Sequence, residues 1–266
     1  MPTGDQDSQD AHYASPLVYD ILHSPGTEDE IRSIERIARR RLGTASPNAI
    51  FEPACGSGRL LRLWDAKSVR GAGFDQSQTM IDFARSRCDA SVRLAVADME
   101  NFSAHFTGQR FALAYNLINT IRHLGSDTAM LAHLAQMHDV LSDDGIYIVG
   151  ISRSDYGREE ISEDRWNGER DDCLVTQWLQ YIPPQDRTEA GRFESVISHL
   201  RAQRDNTFEH FDSSYKLRCY DHAQWVQLIG KSRLEIREIC DINGEPGDDD
   251  IYVLYVLGRR ASLITR

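Results

Sequence analysis

The residues whose types and spacing best suit ligand binding are a glycine-rich turn and the acids that end later apolar runs. The turn, residues 52–58, reads EPACGSG and follows a short apolar run, while Asp75 and Asp98 each end a later one. Gly56 and Gly58 let the backbone turn tightly and approach a ligand without interference from a Cβ atom. Because ligands of open α/β sheets bind at the carboxyl ends of strands, this pattern predicts a ligand site at one edge of such a sheet.

Two nucleotide-binding fingerprints fit this turn poorly. The nicotinamide fingerprint Gly-x-Gly-x-x-Gly needs a third glycine, and the chain has Leu61 there. The phosphate-binding P-loop needs Gly-Lys-Ser/Thr, which the turn lacks. Asp75 nevertheless follows Gly56 by about 20 residues, a spacing that also suits the ribose-binding acid of a dehydrogenase. An NAD-dependent oxidoreductase therefore stays open as an alternative.

Several motifs in order resemble those of class I S-adenosylmethionine-dependent methyltransferases. Residues 52–58 are similar to the first family motif, an acid followed after three residues by Gly-x-Gly. Asp75 resembles the acid that binds the ribose hydroxyls, and residues 97–99 (ADM) resemble the segment that binds adenine. Residues 116–119 and 145–147 are similar to later landmarks of the family. The resemblance covers about residues 45 to 152, together with the final helix and two strands.

The resemblance implies S-adenosyl-L-methionine as cofactor and S-adenosyl-L-homocysteine as product. The Asp75 carboxylate would accept both ribose hydroxyls, and Asp98 would accept the exocyclic amine of adenine. Met99 would supply a backbone N–H or an apolar face, and Met80 would either pack on the adenosine or belong to the core. Glu52 would orient the glycine turn or receive the ammonium of the methionine moiety. The complete predicted cofactor set is Glu52, Ala54, Cys55, Gly56, Gly58, Asp75, Gln76, Met80, Asp98, Met99, Asn116 and Leu117.

Methyl transfer needs few catalytic side chains, because it is a direct displacement on a sulfonium that requires alignment and exclusion of water. A base is needed only where the nucleophile carries a proton. His123 follows the fourth predicted strand, and its ordinary pKa suits proton removal near neutrality. Residues 119–124 resemble a segment of small-molecule N-methyltransferases, including those acting on amino sugars and glycine. Tyr19 resembles that subgroup's N-terminal segment, and its hydroxyl would face the methyl-sulfonium. A packing role is the alternative for both residues.

Charge and composition narrow the partners. The 266 residues include 30 Lys and Arg against 41 Asp and Glu, a net charge of −11 that disfavours a nucleic-acid substrate. The fourth strand also lacks the Asn/Asp-Pro-Pro-Tyr motif of enzymes that methylate bases or glutamine. Five cysteines without a Cys-x-x-Cys pair predict neither a disulfide framework nor a metal site. No apolar run approaches the roughly 18 residues of a membrane span, and the polar N-terminus is unlike a signal peptide, so we expect a cytoplasmic protein.

The elements that must position these residues alternate between strands and helices. The prediction is an α/β fold with a Rossmann-like, seven-stranded, mostly parallel sheet, helices on both faces and a small antiparallel β insert. Residues 1–15 are expected to be disordered, and residues 16–152 to form the cofactor-binding core with an N-terminal helical cap. Residues 153–220 would be the insert, a loop to 172 and then three strands, forming a substrate or dimer region. Residues 221–266 would supply the last helix and two core strands.

The sequence therefore predicts a methyltransferase that acts on a small-molecule acceptor, with nitrogen as the first choice of acceptor atom and His123 as a possible base. An O-methyltransferase is the nearest alternative. The alternatives from other classes are the NAD-dependent oxidoreductase and a module that binds S-adenosylmethionine without catalysis. Exposed hairpin edges in the insert also make a homodimer possible.

Overall fold

The structure is a computed structural model that describes residues 15–261 of the chain. The segment expected to be disordered therefore lies outside the described residues, apart from Ser15. In chain order the elements are α1 (Pro16–His23), α2 (Thr27–Leu42), β1 (Ala49–Pro53), α3 (Arg59–Asp65), β2 (Arg70–Asp75), α4 (Gln78–Arg87), β3 (Arg93–Val96), β4 (Phe111–Asn116), α5 (Asp127–Val140), β5 (Leu141–Ser152), β6 (Ser162–Arg170), β7 (Cys173–Ile182), β8 (Phe193–Arg204), β9 (Thr207–Arg218), α6 (His222–Gly230), β10 (Leu234–Cys240) and β11 (Tyr252–Arg259). Two 3₁₀ turns cover Ser103–Phe106 and Thr120–His123.

The main sheet has seven strands in the order β10-β11-β5-β4-β1-β2-β3. The strands from β3 across to β5 are mutually parallel, whereas β11 is antiparallel to both β5 and β10. The predicted seven-stranded, mostly parallel sheet is therefore confirmed. The chain leaves β1 toward β2 on one side and reaches β4 on the other, so a crevice opens at the carboxyl ends of β1 and β4.

Each face of this sheet carries its own apolar core, because successive side chains of a strand point to opposite faces. Phe51 and Tyr147 belong to the core that α5 and α6 cover. Their chain neighbours Ile50 and Ile148 belong to the core that α2, α3 and α4 cover. The helices thus lie on both faces, as predicted, and fix the positions of the strand ends.

A separate four-stranded antiparallel sheet in the order β6-β7-β8-β9 forms the insert. The prediction of a loop over residues 153–172 is wrong in part, because Ser162–Arg170 is the strand β6. This strand pairs with β7 from Ser162 opposite Tyr181 to Arg170 opposite Cys173. Most of its side chains are exposed at the edge of the sheet, so the sequence lacks the apolar alternation that signals a strand.

Helix α1 packs tightly between the insert and the glycine turn. Its Val18, Ile21 and Leu22 join an apolar cluster with residues of β7 and β8. The helix approaches β6 closely at Gly168, where a Cβ atom would lie 2.1 Å from the Ile21 carbonyl oxygen and 2.9 Å from the Leu22 Cα. Because backbone atoms cannot rotate away, a side chain at residue 168 would displace the helix.

We therefore expect Gly168→Ala to lower the free energy of unfolding by about 1–3 kcal/mol, the usual cost of overpacking. Urea denaturation measures this change. Gly230→Ala is the matched control, because a Cβ atom there meets nothing within 4 Å. Equal stability of the two variants would contradict the close packing of α1 on β6.

No helix within residues 15–261 is both long enough and apolar enough to cross a membrane.

Candidate functional site

The glycine turn between β1 and α3 has the backbone conformation that glycine favours. Gly56 and Gly58 have φ values of 51° and 72°, in the left-handed region that is costly for other residues. Ala54 shares this region with a φ of 50°. The Gly58 amide donates to the Cys55 carbonyl oxygen over 2.9 Å, which closes the turn immediately before α3 begins. The turn therefore lies folded back over the carboxyl end of β1.

Asp75 links this turn to the end of β2. Its Oδ2 accepts a hydrogen bond from the Gly56 amide, and its Oδ1 accepts one from the Ser77 amide, both over 2.9 Å. Burial raises the pKa of Asp75, and these two amides oppose that rise. The structure thus brings together the two features that the sequence singled out first, the glycines and the first strand-end acid.

A small cavity of about 20 Å³ lies under the turn, among Tyr19, Glu52, Ala54, Cys55, Asn116 and Leu117 of the predicted set. The ring of Tyr19 covers Gly56, since a Cβ atom on that glycine would lie 3.2 Å from the Tyr19 Cε1. Asn116 donates from Nδ2 to the Pro53 carbonyl oxygen over 3.0 Å. Its buried Oδ1 has no hydrogen-bond partner within the described residues.

Glu52 is the second polar group of this cavity and is only 7% exposed. Burial raises the pKa of its carboxyl to about 8, although the positive charge of Arg59 opposes the rise. Arg59 lines the same cavity and donates to Glu30 over 2.7 Å and to Thr27 over 3.0 Å. Sequence reasoning missed Arg59, although it directly follows Gly58.

The predicted adenine segment lies after β3, with Asp98 exposed and Met99 partly buried. Asp98 accepts the Glu100 amide at Oδ1 over 2.7 Å. The Met99 carbonyl oxygen lies 3.0 Å from Nδ1 of His133, a fully buried residue of α5. Of the other predicted cofactor residues, Gln76 is exposed at the end of β2 and Met80 is fully buried on α4.

The orientation of His133 follows from its two partners. A carbonyl oxygen can only accept, so Nδ1 carries the proton and donates to Met99. Nε2 is then the acceptor for the Tyr147 hydroxyl, 2.8 Å away. Burial lowers the pKa of His133 to about 4, so the imidazole is neutral at physiological pH. The Tyr147–His133 pair therefore fixes the backbone of the segment that holds Met99.

A second cavity of about 720 Å³ lies between the carboxyl end of the main sheet and the insert. Its walls include both predicted catalytic residues, Tyr19 and His123, and also Trp166 and Tyr181 of the insert. Tyr19, Ile118 and Thr120 line this cavity and the small one, so the two meet at these residues.

The loop that carries His123 is strained and tightly held. Ile118 and Asn119 have positive φ values of 47° and 64°, an arrangement that costs energy and persists only where the surroundings impose it. The Ile118 amide donates to the Tyr252 hydroxyl over 2.9 Å. The Asn119 side chain accepts the Ser152 amide over 2.7 Å. These bonds fix the start of the 3₁₀ turn that ends at His123.

His123 itself faces the large cavity, with its ring centroid 5.4 Å from that of Tyr215. Burial lowers its pKa to about 4, and the neighbouring Arg122 adds to the shift. Neither ring nitrogen forms a hydrogen bond to a residue that the structure describes. The expectation of an ordinary pKa for His123 is therefore wrong, because burial disfavours the charged imidazole. A neutral imidazole with its nitrogens available to a ligand is the state expected at physiological pH.

Arg122 and Glu194 form a polar pair in the wall beside His123, which sequence reasoning also missed. Arg122 is 3% exposed and donates to the Glu194 Oε2 over 2.9 Å. It also donates to the Arg218 carbonyl oxygen over 2.9 Å. The pair joins residues 72 positions apart, so no local pattern could have indicated it.

Comparison with known proteins identifies a methyltransferase domain in the part of the chain that carries this site. Residues 50–145 match the sequence model of a family described as a methyltransferase domain. No curated protein sequence matches the chain. The match covers the glycine turn, Asp75, the adenine segment and His123, and it favours methyl transfer over the nicotinamide alternative.

Solved structures show the same fold at low identity. The sugar N-methyltransferase KedS8 from Streptoalloteichus sp ATCC 53650 is 18% identical, with a TM-score of 0.73 and 92% of each chain covered. DesVI from Streptomyces venezuelae is 18% identical, with a TM-score of 0.70 over 95% of this chain and 97% of that one. The amino pentose methyltransferase CalS10 from Micromonospora echinaspora, solved with S-adenosylmethionine bound, is 17% identical, with a TM-score of 0.67 over 91% and 95%. The chain therefore carries a methyltransferase domain at residues 50–145, within a fold that it shares with solved S-adenosylmethionine-dependent methyltransferases.

Proposed function

We propose that the protein transfers a methyl group from S-adenosyl-L-methionine to a nitrogen atom of a small-molecule acceptor. The observation that carries this proposal is the junction of the two cavities at Tyr19, with the neutral His123 in the larger one. The volume of about 720 Å³ suits a small acceptor and lies within the range of ligand pockets. The sugar N-methyltransferase KedS8 and the amino pentose methyltransferase CalS10 share this fold, which supports nitrogen as the acceptor atom.

The residues around the glycine turn fit the cofactor. When bound, S-adenosylmethionine supplies an electrophilic methyl group on a sulfonium centre. The Asp75 carboxylate, at the strand end beside Gly56, would accept the ribose hydroxyls. Glu52 and the orphan Oδ1 of Asn116 are two acceptors at the small cavity, as the ammonium of the methionine moiety requires. Asp98 and Met99 would hold adenine.

The remaining chemistry falls to two side chains of the larger cavity. His123 would accept the proton that the acceptor nitrogen carries, since its imidazole is neutral and can form a hydrogen bond with an N–H donor. Burial raises the pKa of the Tyr19 hydroxyl, so it stays protonated at the junction of the two cavities. Tyr19 would exclude water from that junction, where the reacting atoms meet.

The assignment of Glu52 predicts a pH dependence of cofactor affinity. A carboxyl with a pKa of about 8 is protonated at pH 6, and it must lose this proton to pair with an ammonium group. Affinity for S-adenosylhomocysteine should therefore rise with pH by up to about tenfold per unit below pH 8 and level off above it. Calorimetric titration at pH 6, 7 and 8 measures the slope. A Glu52→Gln variant should show no such slope, and an identical slope in the variant would contradict the assignment.

The Tyr147–His133 pair predicts a separate effect on the adenine segment. Tyr147→Phe removes one neutral hydrogen bond and releases the orientation of His133, so we expect affinity for S-adenosylhomocysteine to fall by about two- to tenfold. Tyr255→Phe is the matched control, because the Tyr255 hydroxyl forms a similar 2.9 Å bond to Nδ1 of His222. Equal affinities for the two variants would show that His133 does not position this segment.

The acceptor atom can be tested with labelled cofactor. The protein would be incubated with methyl-labelled S-adenosylmethionine and paired acceptors that differ only in an amino or a hydroxyl group, such as an amino sugar and its parent sugar. We expect mass spectrometry to find the label on the amino compound. Transfer to the hydroxyl compound alone would support the O-methyltransferase alternative. Cofactor binding without transfer to any acceptor in a broad panel would support the non-catalytic module.

A further inference from the structure

Asp20 lies at the centre of a buried network on the side of α1 that faces the glycine turn. Its carboxylate is 0% exposed. Oδ1 accepts hydrogen bonds from the Ser57 hydroxyl over 2.6 Å and from Arg62 over 2.7 Å, and Oδ2 accepts one from Arg170 over 2.7 Å. One side chain of α1 thus contacts the glycine turn, α3 and the insert strand β6 at once.

Two further bonds strengthen both arms of this network. Arg62 also donates to the backbone carbonyl oxygen of Ser57 over 2.9 Å, and Arg170 also donates to the Ser24 hydroxyl over 2.7 Å. Burial alone would raise the pKa of Asp20, but the bonds from Ser57 and Arg62 outweigh it and hold the pKa below its ordinary value. A buried carboxylate paired with two guanidiniums is weak support for stability in general, so a specific positioning role is the better account.

The network joins the two ends of the proposed site. Tyr19, the chain neighbour of Asp20, covers Gly56 and lines both cavities. Asp164 and Trp166 lie on the strand that ends at Arg170, and both line the larger cavity. Within the described residues β6 pairs with β7 alone. Because its other edge is unpaired within the described residues, β6 is held toward the core by the Arg170 hydrogen bond and by its packing against α1.

We propose that Asp20 is a positioning residue that couples the glycine turn to the insert wall of the acceptor cavity. A cofactor that orders the turn thereby orders β6, so the acceptor cavity takes its final shape only after the cofactor binds. The coupling rests on the proposed cofactor site. It passes from Ser57 and Arg62 through the Asp20 carboxylate to Arg170.

Hydrogen exchange read by mass spectrometry tests this coupling with S-adenosylhomocysteine as the probe. In the wild-type protein the probe should slow amide exchange by about tenfold in residues 54–58 and in residues 162–170, the factor expected for one hydrogen bond to a charged group. In Arg170→Met the protection of residues 54–58 should remain, and that of residues 162–170 should fall below about twofold. Arg165→Met is the matched control on the same strand, because Arg165 stacks on Trp178 and is not among the partners described above for the Asp20 carboxylate.

Each result bears on a distinct claim. Protection of residues 162–170 that survives in Arg170→Met would overturn the coupling, and so would a wild-type response confined to residues 54–58. Failure of the wild-type protein to bind the probe would overturn the proposed function and the coupling with it. Asp20→Asn provides a second variant, in which cofactor affinity should fall by about tenfold or more and β6 should lose its response. Unchanged affinity in a folded Asp20→Asn protein would contradict the positioning role.

Discussion

Replacement of Asp75 by alanine is expected to weaken binding of S-adenosylhomocysteine by about 100-fold or more. The carboxylate would accept both ribose hydroxyls, and a hydrogen bond to a charged group contributes about 1.5–3 kcal/mol. The side chain also holds the Gly56 amide at 2.9 Å, so its loss would loosen the glycine turn. Calorimetric titration of the variant and the wild-type protein measures the difference.

A deoxyribose analogue separates these two contributions of Asp75. In the wild-type protein, a 2′-deoxy analogue of S-adenosylhomocysteine should bind more weakly than the parent compound. In Asp75→Ala the two compounds should bind equally, because the acceptor of the missing hydroxyl is already gone. If the analogue loses the same factor in both proteins, Asp75 contacts the turn and not the ribose.

His123→Ala should lower turnover by about 10²- to 10⁴-fold, the range of general base catalysis, and leave the affinity for S-adenosylhomocysteine unchanged. Burial lowers the pKa of His123 to about 4, so the imidazole is neutral and competent at every pH above about 5. Loss of activity through protonation of His123 should therefore occur near pH 4 and not near 6.5. Turnover measured from pH 4 to 8 at saturating S-adenosylmethionine, so that the affinity change expected from Glu52 does not contribute, locates this loss of activity.

The control for His123 is a histidine on the outer side of the insert. His199 is 62% exposed and pairs with Asp212, so His199→Ala should keep wild-type turnover. A His123 variant that loses turnover and cofactor affinity by equal factors would indicate structural damage. Full activity in His123→Ala would show that His123 is not the general base. The acceptor would then lose its proton to solvent.

The core sheet could be predicted because its strands and helices are specified by patterns within short segments of the sequence. Apolar strands such as Phe111–Asn116 alternate with capped helices, and Ser77 accepts the Met80 amide as the expected cap of α4. Strand β6 could not be predicted, since its polar side chains face solvent and only its pairing with β7 makes it a strand. The sequence shows where apolar and polar residues alternate, but not which polar segment pairs with a neighbouring strand.

The same distinction separates the features of the candidate site that could be predicted from those that could not. The glycine turn and Asp75 meet because two adjacent parallel strands end side by side, a geometry that the motif order implies. The Asp20–Arg170 pair joins residues 150 positions apart, and the depressed pKa of His123 depends on burial under the insert. Such features arise from packing between distant segments, for which a single sequence holds no periodic signal.

The measurement that tests the central claim most directly is calorimetric titration of the purified protein with S-adenosyl-L-homocysteine, with NAD as the parallel ligand. The account predicts stoichiometric binding of S-adenosyl-L-homocysteine, loss of that binding in Asp75→Ala, and no binding of NAD. Binding of NAD alone would place Asp75 in a dinucleotide site and contradict the assignment of the glycine turn. Absence of binding by either ligand to the folded protein would contradict the cofactor site itself.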